Sequence, residues 1–137
     1  MSESIKVGLR FRGNEKAGET RADWKFVSED TIKGENDKPM TYDIVLDPSC
    51  DQKLMYELCA RDMIMQYTLG FNATIFAYGQ SGSGKTFTML GPDDVVDAIK
   101  EDSTNVPDSI QELYGIIPRA VFDIFTWINM EMAKDKQ

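Results

Sequence analysis

The sequence predicts an α/β fold in which helices flank a sheet, and three segments carry that prediction. Residues 5–12 alternate apolar and other side chains, which is the period of a strand. Residues 73–78 are short and almost wholly apolar, as in a strand buried on both faces of a parallel sheet. Apolar side chains at helical spacing over residues 117–132 predict an amphipathic helix, with Pro118 suited to its first turn.

The first half of the chain predicts short strands followed by one long helix. We expect an edge strand at residues 24–27 and a further strand at residues 42–46, with loops elsewhere between residues 14 and 40. Ser49 and Gln52 have the spacing of a capping box, which predicts the start of a helix that continues to Gly70. The predicted apolar face of this helix comprises Leu54, Leu58, Met65 and Leu69, with Met55, Cys59 and Met63 beside them.

The second half predicts a helix that begins at residues 85–90 and is interrupted by Gly91 and Pro92. Residues 93–108 are rich in aspartate and glutamate and poor in aromatic side chains, so we expect an acidic surface loop there. The sequence holds no internal repeat and no low-complexity tract.

Composition excludes several classes of function. The 137 residues, 42% of them hydrophobic, suffice for one domain with a core. A net charge of −8 disfavours a nucleic-acid partner, because acidic surfaces repel phosphates. The absence of histidine excludes Ser-His-Asp and Cys-His catalysis and most zinc sites. Cys50 and Cys59 fit neither a disulfide framework nor a metal spacing, which favours a reducing compartment.

Membrane insertion is not expected. No apolar run approaches the roughly 20 residues of a membrane-spanning helix. The first 12 residues lack the apolar segment of a signal peptide. We therefore expect a soluble, intracellular chain.

Residues 79–86 match the phosphate-binding pattern G-x-x-x-x-G-K-S/T in full, between a predicted strand and a predicted helix. Glycines 79, 82 and 84 would let backbone N–H groups approach phosphate oxygens, aided by the positive end of the new helix. Lys85 would bring a cation to the β- and γ-phosphates, and the Thr86 hydroxyl would coordinate Mg²⁺. The alternative, a Gly/Ser-rich linker with an accidental lysine, fits this strand-and-helix context poorly.

The motif alone leaves several P-loop enzymes open. An aspartate that supports Mg²⁺ normally follows an apolar strand downstream of the loop. Residues 45–47 end in such an aspartate but lie upstream, so we interpret Asp47 as a turn residue before the helix. No apolar strand ending in Asp, and no Asp-x-x-Gly, follows Thr86.

Residues 72–89, NATIFAYGQSGSGKTFTM, closely resemble the strand, P-loop and following helix of the kinesin motor family. Residues 5–12 resemble the first strand of that family, and residues 42–46 resemble the strand before its first long helix. Residues 115–119 resemble the point where the P-loop helix resumes after an insertion loop, whose place residues 93–108 occupy. The resemblance extends from about residue 4 to residue 132 and implies a P-loop NTPase-type sheet flanked by helices.

The resemblance implies a microtubule-dependent ATPase motor of the cytoplasm and cytoskeleton, with ATP or ADP and Mg²⁺ as ligands and microtubules (tubulin) as partner. In the family, an Arg-x-Arg-Pro segment and a ring just after the P-loop Thr hold the adenine. Gly13 stands where this proline is expected, which puts adenine binding in question. The nucleotide-binding residues implied are Arg10, Arg12, Gly79, Gln80, Ser81, Gly82, Ser83, Gly84, Lys85, Thr86 and Phe87, with Thr86 also a Mg²⁺ ligand.

The two switch motifs and the microtubule-binding helix of the family are not found in these 137 residues. The resemblance therefore implies that residues 1–137 form an incomplete, N-terminal part of a motor domain with no catalytic residue of its own. We expect weak nucleotide binding without turnover, and tubulin contacts outside this part. Two alternatives are a non-motor kinesin-like interaction module without catalysis and an unrelated P-loop kinase or GTPase.

Overall fold

The computed structural model describes residues 5–13 and 24–134, and the chain divides into two compact units. The first unit is Met1–Cys50 and the second is Asp51–Gln137. All described strands lie in the first unit, and all described helices lie in the second. The presence of both kinds of element agrees with the predicted α/β class.

The first unit contains two small sheets. Strands β1 and β5 pair in parallel, with Leu9 opposite Val45, and strands β2, β3 and β4 form an antiparallel sheet in that order. The strands are β1 (Gly8–Arg10), β2 (Lys25–Phe26), β3 (Thr31–Lys33), β4 (Pro39–Thr41) and β5 (Ile44–Leu46).

Apolar side chains of this unit collect around the middle of β3. Ile32 is buried there and pairs across the sheet with Phe26 and Met40. The ring of Phe11, just after β1, meets the rings of Trp24 and Phe26 edge to face, with centroid distances of 5.7 and 4.9 Å. Such ring pairs add to the stabilisation that comes from burial alone.

The strand predictions for this unit were partly right. The predicted strands at residues 5–12, 24–27 and 42–46 contain β1, β2 and β5, and β2 lies at a sheet edge as expected. The prediction of loops was wrong at β3 and β4. These strands have too few buried side chains to produce a clear alternation of apolar and polar residues in the sequence.

The second unit is built on a long C-terminal helix, α6, which contacts α1, α2 and α3. The predicted helix over residues 117–132 is thereby confirmed, with Pro118 in its first turn. The helices are α1 (Gln52–Cys59), α2 (Arg61–Thr68), α3 (Lys85–Met89), α4 (Asp93–Asp102), α5 (Asp108–Gln111) and α6 (Ile116–Lys134). Within residues 5–13 and 24–134, none of the helices is both long and apolar enough to cross a membrane.

The predicted capping box of the first helix was wrong. The N-cap of α1 is Asp51, whose carboxylate accepts the backbone N–H of Leu54 at 2.7 Å. The hydroxyl of Ser49 instead donates to Asp47, and Gln52 is buried. Asp51 directly precedes the helix, so its side chain can reach the free N–H groups of the first turn.

The predicted apolar face of this helix was also mostly wrong. The helix is interrupted at Ala60, which divides it into α1 and α2. Met55 is buried as predicted, whereas the four leading positions of the predicted face are exposed: Leu54, Leu58, Met65 and Leu69. The side of α1 that carries Met55 and Tyr56 is the side covered by other parts of the unit. The helical spacing of apolar residues in the sequence does not reveal which side will be covered.

The apolar segment at residues 73–78 is neither a strand nor buried. Phe76 and Tyr78 are 77% and 95% exposed. A parallel strand obtains its hydrogen bonds and its burial from neighbouring strands. No strand in the described part of the chain pairs with this segment, which is why its apolar composition does not produce the predicted strand.

The acidic stretch at residues 93–108 contains helix α4 and ends at the first residue of α5, so the prediction of a loop was wrong. Helix α4 has one buried side chain, Val95, and carries its charged residues on its exposed side. Asp93 and Asp94 lie in its first turn and Lys100 lies in its last turn. Negative charge at the N-terminus and positive charge at the C-terminus interact favourably with the helix dipole. High charge therefore coexists here with regular helix.

A part-buried hydrogen bond joins α1 to α6. The Tyr56 hydroxyl donates to a carboxylate oxygen of Asp123 at 2.8 Å, and Tyr56 is 3% exposed. Burial, followed by this hydrogen bond, raises the pKa of Tyr56 above its ordinary value of 10.0. The folded chain therefore keeps the phenol protonated at a pH where the unfolded chain releases the proton.

We predict that Tyr56→Phe lowers the free energy of unfolding by about 1 kcal/mol near neutral pH, because one part-buried hydrogen bond is lost. A group whose pKa is raised on folding stabilises the fold below its unfolded pKa and loses that contribution as pH rises. The difference between wild type and variant should therefore shrink above pH about 10. Urea unfolding of both proteins at neutral and alkaline pH measures this, and an unchanged difference would contradict it.

Candidate phosphate-binding site

The loop of residues 79–84 is shaped by its glycines. Gly82 and Gly84 have φ angles of 77° and 96°, in the left-handed region where a side chain is strained, and Gly84 is the N-cap of α3. Gly79 lies so close to Ser83 that a Cβ built on it would be 2.5 Å from the Ser83 hydroxyl oxygen. Two of these glycines are thus required by backbone conformation, and the third lies directly against the Ser83 side chain.

The ammonium group of Lys85 lies across this loop. Lys85 Nζ donates to the carbonyl oxygens of Gly79 and Gln80, at 2.9 and 2.8 Å. These two bonds hold the first residue of α3 against the start of the loop. A phosphate oxygen is a stronger partner for an ammonium than a neutral carbonyl, because both groups are then charged.

The residues after Lys85 have different surroundings. Thr86 is exposed near the start of α3, and the Phe87 side chain is 42% exposed. The backbone of Phe87 is held instead: its carbonyl oxygen accepts from Gln52 Nε2 at 2.7 Å and from the N–H of Gly91 at 2.9 Å. Sequence reasoning missed Gln52 as a neighbour of this site, because it interpreted that side chain as part of a helix cap.

The two predicted arginines belong to the first unit. Arg10 ends β1 and is half-buried, and its Nη2 donates to the Cys50 carbonyl oxygen at 3.3 Å. Arg12 follows the strand and is exposed. A Cβ on Gly13 would be 3.8 Å from the nearest atom, the Pro48 carbonyl oxygen, so space does not require glycine there. The structure gathers residues 79–87 in the second unit, apart in sequence from these arginines.

The interpretation of Asp47 as a turn residue agrees with its contacts. One carboxylate oxygen accepts the backbone N–H of Ser49 at 2.7 Å and the Ser49 hydroxyl at 2.5 Å. The hydroxyl first, and then the backbone bond, hold the pKa of Asp47 below its usual value. Among the residues that the structure describes, no group of three or more His, Cys, Asp or Glu side chains could hold a metal ion.

Comparison with known proteins gives the family of this chain. The family model described as kinesin motor domain matches residues 9–137. The chain belongs to the kinesin motor domain family. This confirms the resemblance inferred from residues 72–89, and it places the chain in a family of microtubule motor ATPases.

Individual kinesins agree with this assignment. Kinesin heavy chain isoform 5C of Rattus norvegicus is 40% identical over 128 residues, which cover 91% of this chain and 12% of that protein. Kinesin-like protein NACK2 of Nicotiana tabacum is 43% identical over 98 residues, which cover 65% of this chain and 10% of that protein. The chain therefore spans a small part of the length of the kinesins it matches.

A solved kinesin structure has the same fold. It is that of a fast kinesin, described with implications for ATPase mechanism and interactions with microtubules. The TM-score is 0.71 at 33% identity, and the match covers 90% of this chain and 32% of the other. The predicted fold class, a partial P-loop NTPase-type α/β fold, is thereby confirmed.

We predict that Gly84→Ala loosens the loop and the start of α3. An alanine at this φ costs about 1–2 kcal/mol, while no neighbouring atom would obstruct its Cβ. Amide exchange should accelerate at Thr88, whose N–H donates to the Gly84 carbonyl oxygen at 2.9 Å. Gly13→Ala is the matched control and should leave that amide unchanged. Equal exchange rates in both variants would contradict the loop geometry.

Proposed function

We propose that this chain is the N-terminal, ATP-binding part of a kinesin-type microtubule motor ATPase. The observation that carries the proposal is the Lys85 ammonium, which lies across a glycine-shaped loop and donates to the carbonyl oxygens of Gly79 and Gln80. The positive charge is thus already at the loop that the sequence motif assigns to phosphate. The family assignment supports ATP or ADP as the nucleotide and motor activity for the whole protein.

The residues of the loop fit a Mg–nucleotide. Its amides would bind phosphate oxygens over residues 79–84, and Lys85 would exchange its carbonyl partners for the β- and γ-phosphates. Thr86 is exposed at the start of α3 and offers a hydroxyl oxygen, the kind of ligand that Mg²⁺ prefers. When bound, Mg²⁺ supplies charge neutralisation to the phosphates.

We assign the adenine contacts to Phe87, Arg10 and Arg12. Phe87 follows Thr86 directly and leaves part of its ring exposed, so the ring is accessible to a base. The assignment of Arg10 and Arg12 is supported by the family pattern alone. With glycine at position 13 the backbone after these arginines lacks the fixed φ of a proline, which should weaken this side of the base site.

We further propose that the 137-residue chain binds nucleotide weakly and does not hydrolyse it. Phosphoryl transfer depends on positioning and on charge stabilisation around the γ-phosphate. Of the parts that provide these in the family, this sequence contains the P-loop and neither switch motif. Phosphate release stimulated by microtubules from this purified chain would contradict the proposal.

Microtubules are the proposed partner of the whole motor, in the cytoplasm and on the cytoskeleton. The chain itself carries a net charge of −8, which disfavours attraction to an acidic tubulin surface. We therefore assign the microtubule contacts to parts of the kinesin motor that this chain does not span. The same charge disfavours nucleic acid as a partner.

The test is titration of Mg-ATP into wild type, Lys85→Ala and Lys100→Ala by calorimetry or NMR. Lys100 is the matched control, because it is a lysine of the same unit in an exposed pair with Asp97. Lys85→Ala should weaken binding about tenfold or more, since charge-assisted hydrogen bonds to phosphate are lost. Lys100→Ala should bind as wild type does.

Three results would count against the proposal. Equal weakening in both lysine variants would indicate a general charge effect. Binding that does not depend on Lys85, or no binding by any of the three proteins, would favour the alternative of a non-motor interaction module. In that case the loop of residues 79–86 has the P-loop sequence without its function.

A further inference from the structure

The two ends of the segment between α3 and α6 lie in direct backbone contact. The Gly115 N–H donates to the Leu90 carbonyl oxygen at 3.1 Å, and a Cβ on Gly115 would be 2.6 Å from the Leu90 nitrogen. A Cβ on Gly91 would be 2.7 Å from the Leu113 carbonyl oxygen. Side chains are therefore excluded where the segment leaves α3 and returns to α6.

Arg119 of α6 fixes the returning end of this segment. Its guanidinium donates to the carbonyl oxygens of Tyr114 at 2.9 Å and of Glu112 at 2.7 Å. Leu113 lies between these two residues, so its own carbonyl oxygen is held in place by its neighbours. The returning end of the segment thus presents a fixed acceptor, the Leu113 carbonyl oxygen, close to the end of α3.

Gln52 connects this returning end to the candidate site. It is 3% exposed, and its Nε2 donates to the Phe87 carbonyl oxygen at 2.7 Å and to the Leu113 carbonyl oxygen at 3.4 Å. One amide group therefore bridges three places: the start of α1, the middle of α3 and the returning end of the segment between α3 and α6. A buried amide of this kind specifies the relative position of the groups it binds.

We propose that Gln52 is a positioning residue for the nucleotide base, acting through the backbone of Phe87. The inference rests on the proposed function, in which the Phe87 ring contacts adenine. Helix α3 is five residues long, too short to be stable by its own hydrogen bonds. The Phe87 side chain is part-exposed, so its packing fixes it only in part. The bond from Gln52 supplies an anchor at Phe87 itself.

The phosphate side of the site has its own anchor. Lys85 is held by the carbonyl oxygens of Gly79 and Gln80, both within the loop. Loss of the Gln52 bonds should therefore disturb the base side of the site more than the phosphate side. This difference separates a positioning role from a general contribution of Gln52 to stability.

The test compares Mg-ATP with Mg-tripolyphosphate, which has the phosphates without the base. Gln52→Met keeps an unbranched side chain of similar length and removes both donated bonds. We expect its dissociation constant for ATP to rise about five- to tenfold, as for loss of a buried hydrogen bond, and that for tripolyphosphate to change less than about twofold. Gln66→Met, on the exposed side of α2, is the matched control and should leave both unchanged.

Amide hydrogen exchange gives a second readout that needs no ligand. The Gly91 N–H donates to the Phe87 carbonyl oxygen, and the Gly115 N–H donates to Leu90. Both should exchange faster in Gln52→Met than in Gln66→Met, because Gln52 bridges both segments. The Ile64 N–H donates to the carbonyl oxygen of Ala60, the N-cap of α2, and should exchange equally in the two variants.

Gln52→Glu keeps the proposal testable if Gln52→Met does not fold. A glutamate side chain has the same shape and donates only when protonated, and burial raises its pKa above about 4.3. The preference for ATP over tripolyphosphate should therefore be low at neutral pH and recover partly in mild acid. A structural role alone would give no such pH dependence of the preference.

The outcomes decide between the explanations. Equal weakening of ATP and tripolyphosphate, or unchanged exchange at Gly91 and Gly115, would overturn the positioning role. If wild type binds neither ligand, the proposed function fails and with it the role toward the base. The exchange rates would still decide whether Gln52 holds the two segments together.

Discussion

On the buried side of α1, three side chains reach different parts of the second unit. Gln52 donates to the backbone of α3 and to the returning end of the segment between α3 and α6. Met55 is buried in the core, and the Tyr56 hydroxyl donates to Asp123 of α6. Helix α6 in turn contacts α1, α2 and α3. The position of α3, and with it the end of the loop of residues 79–84, therefore depends on this face of α1 together with the contacts of α3 to α6 and of Leu90 to Gly115.

The candidate site lies between two elements that have little stability of their own. Before it runs a segment without regular secondary structure that pairs with no described strand, and after it comes the five-residue helix α3. Its shape is set locally, by the left-handed backbone at Gly82 and Gly84 and by the Lys85 ammonium on two loop carbonyls. A loop fixed by such local constraints does not need strand pairing to keep its shape.

Local signals in the sequence predicted the local features of the structure. The P-loop pattern, the interruption at Gly91 and Pro92, the long helix α6 and strands β1, β2 and β5 all follow from residue type and spacing. The kinesin family could be recognised because residues 72–89 form a long specific match. Each of these features is encoded by residues that are close together in the chain.

Features that depend on distant neighbours could not be predicted in this way. The exposed state of Phe76 and Tyr78 depends on which strands pair with them, and the face of α1 that becomes buried depends on α6. The role of Gln52 depends on carbonyl oxygens 35 and 61 residues further along the chain. Helix α4 was missed because its single buried valine gives almost no periodic signal.

The central claim is that Lys85 is already at the phosphate site and changes partners when nucleotide binds. The most direct measurement is a crystal structure of the chain with Mg-ATP or a non-hydrolysable analogue. The account predicts that Lys85 Nζ leaves the carbonyl oxygens of Gly79 and Gln80 and lies within hydrogen-bonding distance of a β- or γ-phosphate oxygen. Nucleotide bound elsewhere, or bound at the loop while Lys85 keeps both carbonyl partners, would contradict the account.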